Sequence, residues 1–498
     1  MFRWFLLATF LTALWLPVHV KAQSAVSCQA EVLVGSAPVG CGGGAGNQVM
    51  DSITVQQRKG IQQRIQQNLW MLALQMKLPR ARPQAVTLGW PLRAAHTVDD
   101  LDYHGVSNFV DLDPAFPNSL KDYSCGQRTY DLAAGYNHSG TDFFLYPFSW
   151  SKMDNDEVTV VAASAGVIVD KQDGNDDRSC AMSDLPWNAV YVRHEDGSIA
   201  WYGHLKKQSL ISKNIGDSVE AGEYLGLVGS SGSSTGPHLH FELHDTEDAL
   251  IDPFQGQCND QPSLWSEQRP YYDSKINKLT TGDAEPVTPP CSLPEEPHIQ
   301  DSFDSGATIY FTTYYHDQLD SQSSQYTIYR PDGSIYRQWQ HSSDEAYYDS
   351  SYWFWIWEFA NDEPTGTWRF EVQYIDKLYT TYFNIGAPTT IQLSSPNGGE
   401  QLSAGSMQTI TWDDNLGGNV RLELYRDQGY YATIAQSAPS TGEYSWQLPS
   451  DILAGENYQI RITNTANPTL YDESDASFQV LEPVAADEER VFLPIITN

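Results

Sequence analysis

Residues 96–256 run in short stretches of alternating residues, separated by Gly, Pro and Asp-Gly. Alternation with a period of two puts every second side chain on one face of a strand, so this pattern confines the region to β-structure. Val158–Val169 and Ala189–His194 read as strands, and Glu195-Asp196-Gly197 reads as the turn of a hairpin. Further on, segments 298–388 and 389–482 again hold strands and turns with no convincing helix, and each reads as a small β-sandwich. One helical signal stands upstream. Between Ser52 and Leu78 the Gln-rich text places Ile53, Ile61, Ile65, Leu69 and Leu72 at helical spacing, and Pro79 closes it. The expected fold class is therefore mainly β: an antiparallel sheet domain, two Ig-like β-sandwiches after it, and a short helical N-terminal segment.

A chain of 498 residues is too long for one core and should divide into about three or four domains. The expected divisions are a leader at 1–22, an N-terminal segment with one helix at 23–95, a β-domain at 96–260, a linker at 261–297, sandwiches at 298–388 and 389–482, and a tail at 483–498. Gly42-Gly43-Gly44 reads as loop, and Pro286, Pro289, Pro290, Pro294 and Pro297 mark the linker. The tail carries an acidic patch, Ala486-Asp487-Glu488-Glu489, followed by the apolar Val491 to Ile496. With 29 Lys+Arg against 63 Asp+Glu, the net charge of −34 argues against binding a nucleic-acid backbone or anionic lipid.

Met1-Phe2-Arg3, the apolar run Trp4 to Leu16, and Val20-Lys21-Ala22 before Gln23 have the form of a secretory signal peptide. The run falls short of the roughly 20 apolar residues that span a bilayer, and no later segment reaches that length. A secreted or cell-surface protein is expected. In that setting Cys28, Cys41, Cys125, Cys180, Cys258 and Cys291 read as disulfides, and no CxxC pair indicates a cysteine zinc site. Nearness in sequence suggests Cys28–Cys41, Cys125–Cys180 and Cys258–Cys291.

Three segments carry the chemistry: Asn137-His138-Ser139-Gly140-Thr141-Asp142, Trp201-Tyr202-Gly203-His204-Leu205, and Gly236-Pro237-His238-Leu239-His240-Phe241-Glu242-Leu243. On a strand, His238 and His240 share a face about 6.6 Å apart, while Leu239, Phe241 and Leu243 pack on the other. The Gly-Ser loop before them lacks the Lys of a phosphate-binding loop and reads as a tight turn. His138 and Asp142 lie in a turn running into a strand. Two histidines and one carboxylate suit zinc and leave the fourth tetrahedral position for water, as in catalytic sites. No HExxH helix is present.

Taken together, these segments resemble the lysostaphin-type zinc metallopeptidases, peptidoglycan endopeptidases. The resemblance runs from about Val158 to Leu243 and includes Val160 to Val167, Tyr202-Gly203-His204-Leu205 and Gly216 to Gly226, with Cys125 to Tyr130 upstream. It implies an antiparallel β-sheet metallopeptidase domain in which His138, Asp142 and His240 bind Zn2+, with His204 and His238 as catalytic histidines whose individual roles stay open. His104, His194 and His244 read as structural or surface residues. The insertion Lys171–Trp187, with Cys180 and four acidic residues, departs from the family and should form a loop near the groove. Some relatives are blocked by an inhibitory segment, which directs attention to Asn108 and Asn137. The helix at 52–78 belongs to such a segment or caps the domain, and the absence of a clear processing site favours the cap.

Ser395-Pro396-Asn397-Gly398-Gly399-Glu400, Thr409 to Trp412 and Gln459 to Thr463 resemble the Ig-like module of the Ser/Thr-rich cell-surface repeat family. The run Tyr352-Trp353-Phe354-Trp355-Ile356-Trp357 offers rings for stacking on glycans, or half a sandwich core. The expected function is a secreted zinc metalloendopeptidase cutting peptide cross-links of peptidoglycan, at glycine-rich bonds. The alternatives are an extracellular protease for glycine-rich proteins and a non-catalytic envelope-binding protein that contacts glycans or the cell surface through its C-terminal modules.

Overall fold

The computed structural model describes residues 41–44, 49–78, 85–95, 98–289, 291, 293–386, 390–414, 418–465, 468 and 470–483. The leader at 1–22, Pro79, Cys28 and the tail beyond residue 483 lie outside the described residues.

The β-domain is built on an eight-stranded sheet in the order Ser218–Val219, Gly166–Gln172, Ala189–His194, Ile199–Gly203, His238–His244, Thr141–Leu145 and His104–Asn108, with Leu250–Ile251 beside His238–His244. Each of these pairings is antiparallel. A second sheet of Tyr224–Leu227, Val158–Val161 and Leu92–Ala94 packs over one face. Ile168, Val190, Val192, Ala200, Tyr202, Leu239, Phe241 and Leu243 fill the space between the sheets. The alternate positions Val169, Tyr191 and Trp201 face the other way, and helix α1 (Val55–Leu74) covers them with Ile61, Ile65 and Leu72. Burying each such aliphatic side chain contributes about 1.5–3 kcal/mol. Thr54 starts α1 with a reciprocal cap: its hydroxyl accepts from the Gln57 backbone N–H, and the Gln57 side-chain carbonyl accepts from the Thr54 N–H.

Residues 298–386 form a sandwich of two sheets, but the structure brings two further segments into it. Lys275–Gly282, inside the expected linker, is an eight-residue strand paired with Thr308–Leu319. Cys41–Gly44, expected as loop, pairs antiparallel with Ser351–Phe354 at the edge of the same sheet. Glycine permits this contact, because a Cβ on Gly42 would lie 2.0 Å from the Tyr352 carbonyl oxygen. The aromatic run is not a glycan platform: Trp353, Trp355 and Trp357 point into the sandwich core and Phe354 is 1% exposed. The last module is a second sandwich, with sheets of three and six strands around Trp412, Leu422, Ile460 and Ile462.

Two disulfides differ from the sequence expectation. Cys125 bonds Cys258 and Cys180 bonds Cys291, so the folded sheet, not nearness along the chain, selects the partners. Cys41 is also disulfide-bonded, to a partner outside the described residues. The β-domain and first sandwich share a buried joint. There Arg128 pairs with Asp317 at 2.8 Å and lies over the rings of Phe109, Tyr271, Tyr272 and Tyr347. Val49, Phe144, Tyr146, Phe148 and Tyr314 form an apolar cluster beside it, which ties the N-terminal segment to both domains. Among the described residues no helix is long and apolar enough to cross a membrane.

Candidate metal centre

The strand His238–His244 lies between Ile199–Gly203 and Thr141–Leu145. In this register His240 stands opposite Asp142 on one side and Gly203 on the other. With Leu239, Phe241 and Leu243 committed to the core, the two-residue period sends His238, His240, Glu242 and His244 to the opposite face. His138 reaches the same place from the turn before Thr141–Leu145. Gly140 lets the turn close: a Cβ there would meet the His240 ring at 2.7 Å. His138, Asp142, His204, His238 and His240 are all 0% exposed, so the fold gathers the five sequence-predicted site residues into one buried cluster.

The ring nitrogens are sorted by what holds them. His138 donates Nδ1–H to the Phe109 carbonyl at 2.7 Å, which turns Nε2 toward the cluster, and although burial lowers this imidazole, Asp142 and Asp51 beside it raise it above the usual range. That Nε2 stands 3.0 Å from Asp142 Oδ2 without hydrogen-bonding geometry and has no hydrogen-bond partner. His240 Nδ1 lies 2.8 Å from Asp142 Oδ1, and its Nε2 donates to Glu242 Oε1 at 3.0 Å. Asn108 Nδ2 donates to Asp142 Oδ2 at 2.9 Å. Two imidazoles and a carboxylate, each fixed by an outer partner, make a donor set that fits zinc.

His204 and His238 form a matched pair beside it, with ring centroids 4.4 Å apart. His204 donates Nδ1–H to the Ser231 carbonyl at 2.6 Å and His238 to the Gly236 carbonyl at 2.8 Å. Both Nε2 atoms thus face the same point, where Asp51 Oδ2 lies 3.1 Å from one and 3.5 Å from the other. His204 sits at φ +60°, a conformation costly for a residue with a Cβ, and burial together with His238 pushes its imidazole below the usual range.

Asp51 is the residue that sequence reasoning missed. Residues 49–53 cross the open side of the cluster, with Met50 and Thr235 exchanging two hydrogen bonds and Ser52 N–H donating to the Ser233 carbonyl. The Asp51 carboxylate is fully buried. Its Oδ2 approaches His240 Nδ1 to 2.6 Å, and its Oδ1 accepts from the hydroxyls of Tyr130 at 2.9 Å and Tyr136 at 2.8 Å. Burial alone would raise this carboxyl, but His240, His204 and His238 around it hold it well below the usual carboxylate range. Burial and Asp51 push both tyrosines well above theirs, so they keep their protons as donors. Asp51, His138, Asp142 and His240 together offer four ligand atoms within 4.8 Å of one another. Four protein ligands make a closed site, whereas three leave the position a reacting water needs.

Of the other candidates, Asn108 braces Asp142 and also donates to the Val49 carbonyl at 2.8 Å, while Asn137 turns away to the Asp113 carbonyl. His104 is buried against Trp90, and His194 against the Ala165 carbonyl. His244, read as structural or surface, meets Glu242 Oε2 at 2.6 Å, one residue from the cluster. The insertion Lys171–Trp187 does reach the groove. Trp187 places its ring 5.1 Å from that of His204 and 5.8 Å from that of His240, and Gln57 of α1 donates to the carbonyls of Asp184 and Leu185.

The antiparallel sheet thus presents a His-Asp-His donor set with two histidines beside it. Comparison with known proteins places an M23 domain here: residues 137–253 match peptidase family M23. Residues 395–478 match the Kre9/KNH-like N-terminal Ig-like domain. The chain is 34% identical over 126 residues to the glycyl-glycine endopeptidase ALE-1 of Staphylococcus capitis, covering 25% of this chain and 29% of that protein. It is 33% identical over 126 residues to lysostaphin of Staphylococcus simulans, covering 25% and 21%. It is 49% identical over 55 residues to the DD-carboxypeptidase/endopeptidase Mpg of Neisseria meningitidis, covering 11% and 12%. The chain thus spans less than a third of these curated relatives. A solved structure of a peptidase M23 from Pseudomonas aeruginosa aligns at 20% identity and TM-score 0.19, over 38% of this chain and 59% of that one.

Proposed function

We propose that the chain is an exported zinc metalloendopeptidase that hydrolyses peptide cross-links of bacterial peptidoglycan, with glycine-rich bonds as its preferred class. The observation that carries this reading is the convergence of all five expected residues, with His138 Nε2 turned toward Asp142 and beside His240. His138, Asp142 and His240 would hold the zinc, which when bound acidifies a water and polarises a carbonyl. His204 and His238, their Nδ1 atoms tied to backbone carbonyls, present two Nε2 atoms that accept and return a proton at one point. Tyr130 and Tyr136 donate hydroxyl hydrogens to an oxygen at the position now taken by Asp51 Oδ1, an arrangement that favours a developing negative charge. The name glycyl-glycine endopeptidase supports glycine-rich bonds, that of a further relative, the peptidoglycan DD-endopeptidase ShyC of Vibrio cholerae, supports a cell-wall substrate, and the leader-like N-terminus supports export.

With Asp51 in place the site is closed, and we read this arrangement as the latent form, opened when residues 49–53 are displaced. The test is clearing of purified peptidoglycan by the full chain and by its Asp51→Ala variant, which lacks the closing carboxylate, with chelator and with zinc added back. Clearing that stops with chelator and returns with zinc supports the proposal, and the released fragments name the bond. Zinc-dependent cleavage of glycine-rich protein without clearing favours the extracellular protease. A chain that holds no zinc and clears nothing fits the envelope-binding reading and overturns the enzyme.

A further inference from the structure

Helix α1 does more than cover the sheet. Arg58, in its first turn, sends both terminal nitrogens to one buried carboxylate: Nη1 to Glu242 Oε2 at 2.7 Å and Nη2 to Glu242 Oε1 at 2.8 Å. Glu242 is 1% exposed and takes two further hydrogens, from His240 Nε2 at 3.0 Å and from His244 Nε2 at 2.6 Å. The guanidinium lies 5.2 Å from the centroid of the Trp201 ring, and Trp201 in turn stacks on His244 at 4.5 Å. The carboxylate that orients His240 is therefore itself oriented from the N-terminal segment, by the one cationic side chain with the planar two-toothed geometry to do so.

We propose that Arg58 is a positioning residue of the metal centre, acting through Glu242 to hold the His240 imidazole with Nδ1 toward the ligand cluster. The inference rests on the reading that His138, Asp142 and His240 hold a metal. It follows that α1 is part of the working enzyme and that only residues 49–53 form the removable closure. A release that discarded Arg58 along with Asp51 would weaken the site it opened, because a buried carboxylate left without its cation loses the geometry and charge balance on which the ligand depends.

The experiment is cobalt(II) binding to the metal-free full chain, read as affinity by chelator competition and as the visible spectrum of the bound ion. Arg58→Met should lower affinity by roughly 10- to 100-fold and alter the spectrum, with Arg58→Lys between it and the unsubstituted chain. Glu242→Gln should lower affinity in the same direction, and combining it with Arg58→Met should add little, since both substitutions break one relay. Arg64→Met is the control: Arg64 fastens the same helix to Asp170 at 3.0 Å but does not touch Glu242, so cobalt binding should not change. Equal losses in Arg64→Met and Arg58→Met would reduce Arg58 to a fastener and overturn the proposal. Unchanged binding in a folded Arg58→Met chain, or in Glu242→Gln should Arg58→Met not fold, would overturn it as well. Failure of the unsubstituted chain to bind cobalt or zinc would instead remove the metal reading on which it rests.

Discussion

Two neighbouring stretches of the N-terminal segment meet the same centre in opposite ways. Residues 49–53 are extended, pair with residues 233–235, bury Val49 and Ile53 at their two ends, and put the Asp51 carboxylate among His204, His238 and His240. Residues 55–74 are helical, bury Ile61, Ile65 and Leu72 against the sheet, and put a guanidinium on the far side of His240. The hydrogen bonds of the first stretch each contribute about 0.5–1.5 kcal/mol net, and its apolar hold is limited to Val49 and Ile53 at its two ends. Ile61, Ile65 and Leu72 bury a longer apolar face against the sheet. The difference teaches that one segment can hold both a closure and a support, with Thr54 marking the boundary between them.

The largest expected effect falls on what both stretches depend on. His240→Ala removes a ligand that Asp51 and Glu242 both contact, and should abolish zinc binding and clearing together. Retained clearing would dismiss the centre altogether. Next, Asp51→Ala should raise the activity of the full chain by on the order of tenfold or more, because the competent fraction limits the observed rate. An unchanged or lower rate would mean that residues 49–53 do not close the site.

A smaller effect separates the two stretches by acid. Asp51, through His240 and its neighbours, and Glu242, through Arg58, are both held well below the usual carboxylate range despite their burial. A carboxyl lowered on folding stabilises the protein above its unfolded pKa of about 4, and that contribution fades as pH falls below it. Thermal unfolding of the metal-free chain should therefore shift downward in acid. Asp51→Asn should flatten part of that shift and leave the part that Glu242 supplies; a shift identical to that of the unsubstituted chain would contradict the role given to Asp51. The smallest effect is at the boundary. Thr54→Ala removes the helix cap and should cost about 1 kcal/mol of stability, seen as a lower unfolding temperature with cobalt affinity unchanged. A large loss of affinity instead would show that the start of α1 is not independent of its Arg58 turn.

How much of this was legible beforehand depended on distance along the chain. His238 and His240 could be placed on one face because a strand has a period of two, and the turn at His138–Asp142 was signalled by Gly140. The amphipathic spacing of Ile61, Ile65 and Leu72 located α1, within a few residues at each end. Asp51 carried no such signal. It is a single aspartate in polar sequence, 153 positions from His204, and nothing local distinguishes it from a solvated loop residue. Arg58 likewise reads as one more charge in a Gln-rich helix until Glu242 is brought against it, 184 positions away. The disulfides misled for the same reason, since their true separations are 133 and 111 residues. The strand Lys275–Gly282 was masked by the prolines that follow it.

The amino-acid sequence by itself carried the strand pattern around residues 158–169 and 189–194, the helix, and the five positions that the structure gathers into one cluster, because each of these is written in spacings of two to four residues that backbone geometry converts directly into shared faces. Only the tertiary structure decided that the site is closed by Asp51, that Arg58 supports it through Glu242, that the aromatic run is core, and which cysteines pair. Those outcomes follow from which surfaces the sheets and sandwiches bury against one another, and burial between distant segments is settled by packing, for which a local pattern carries no record.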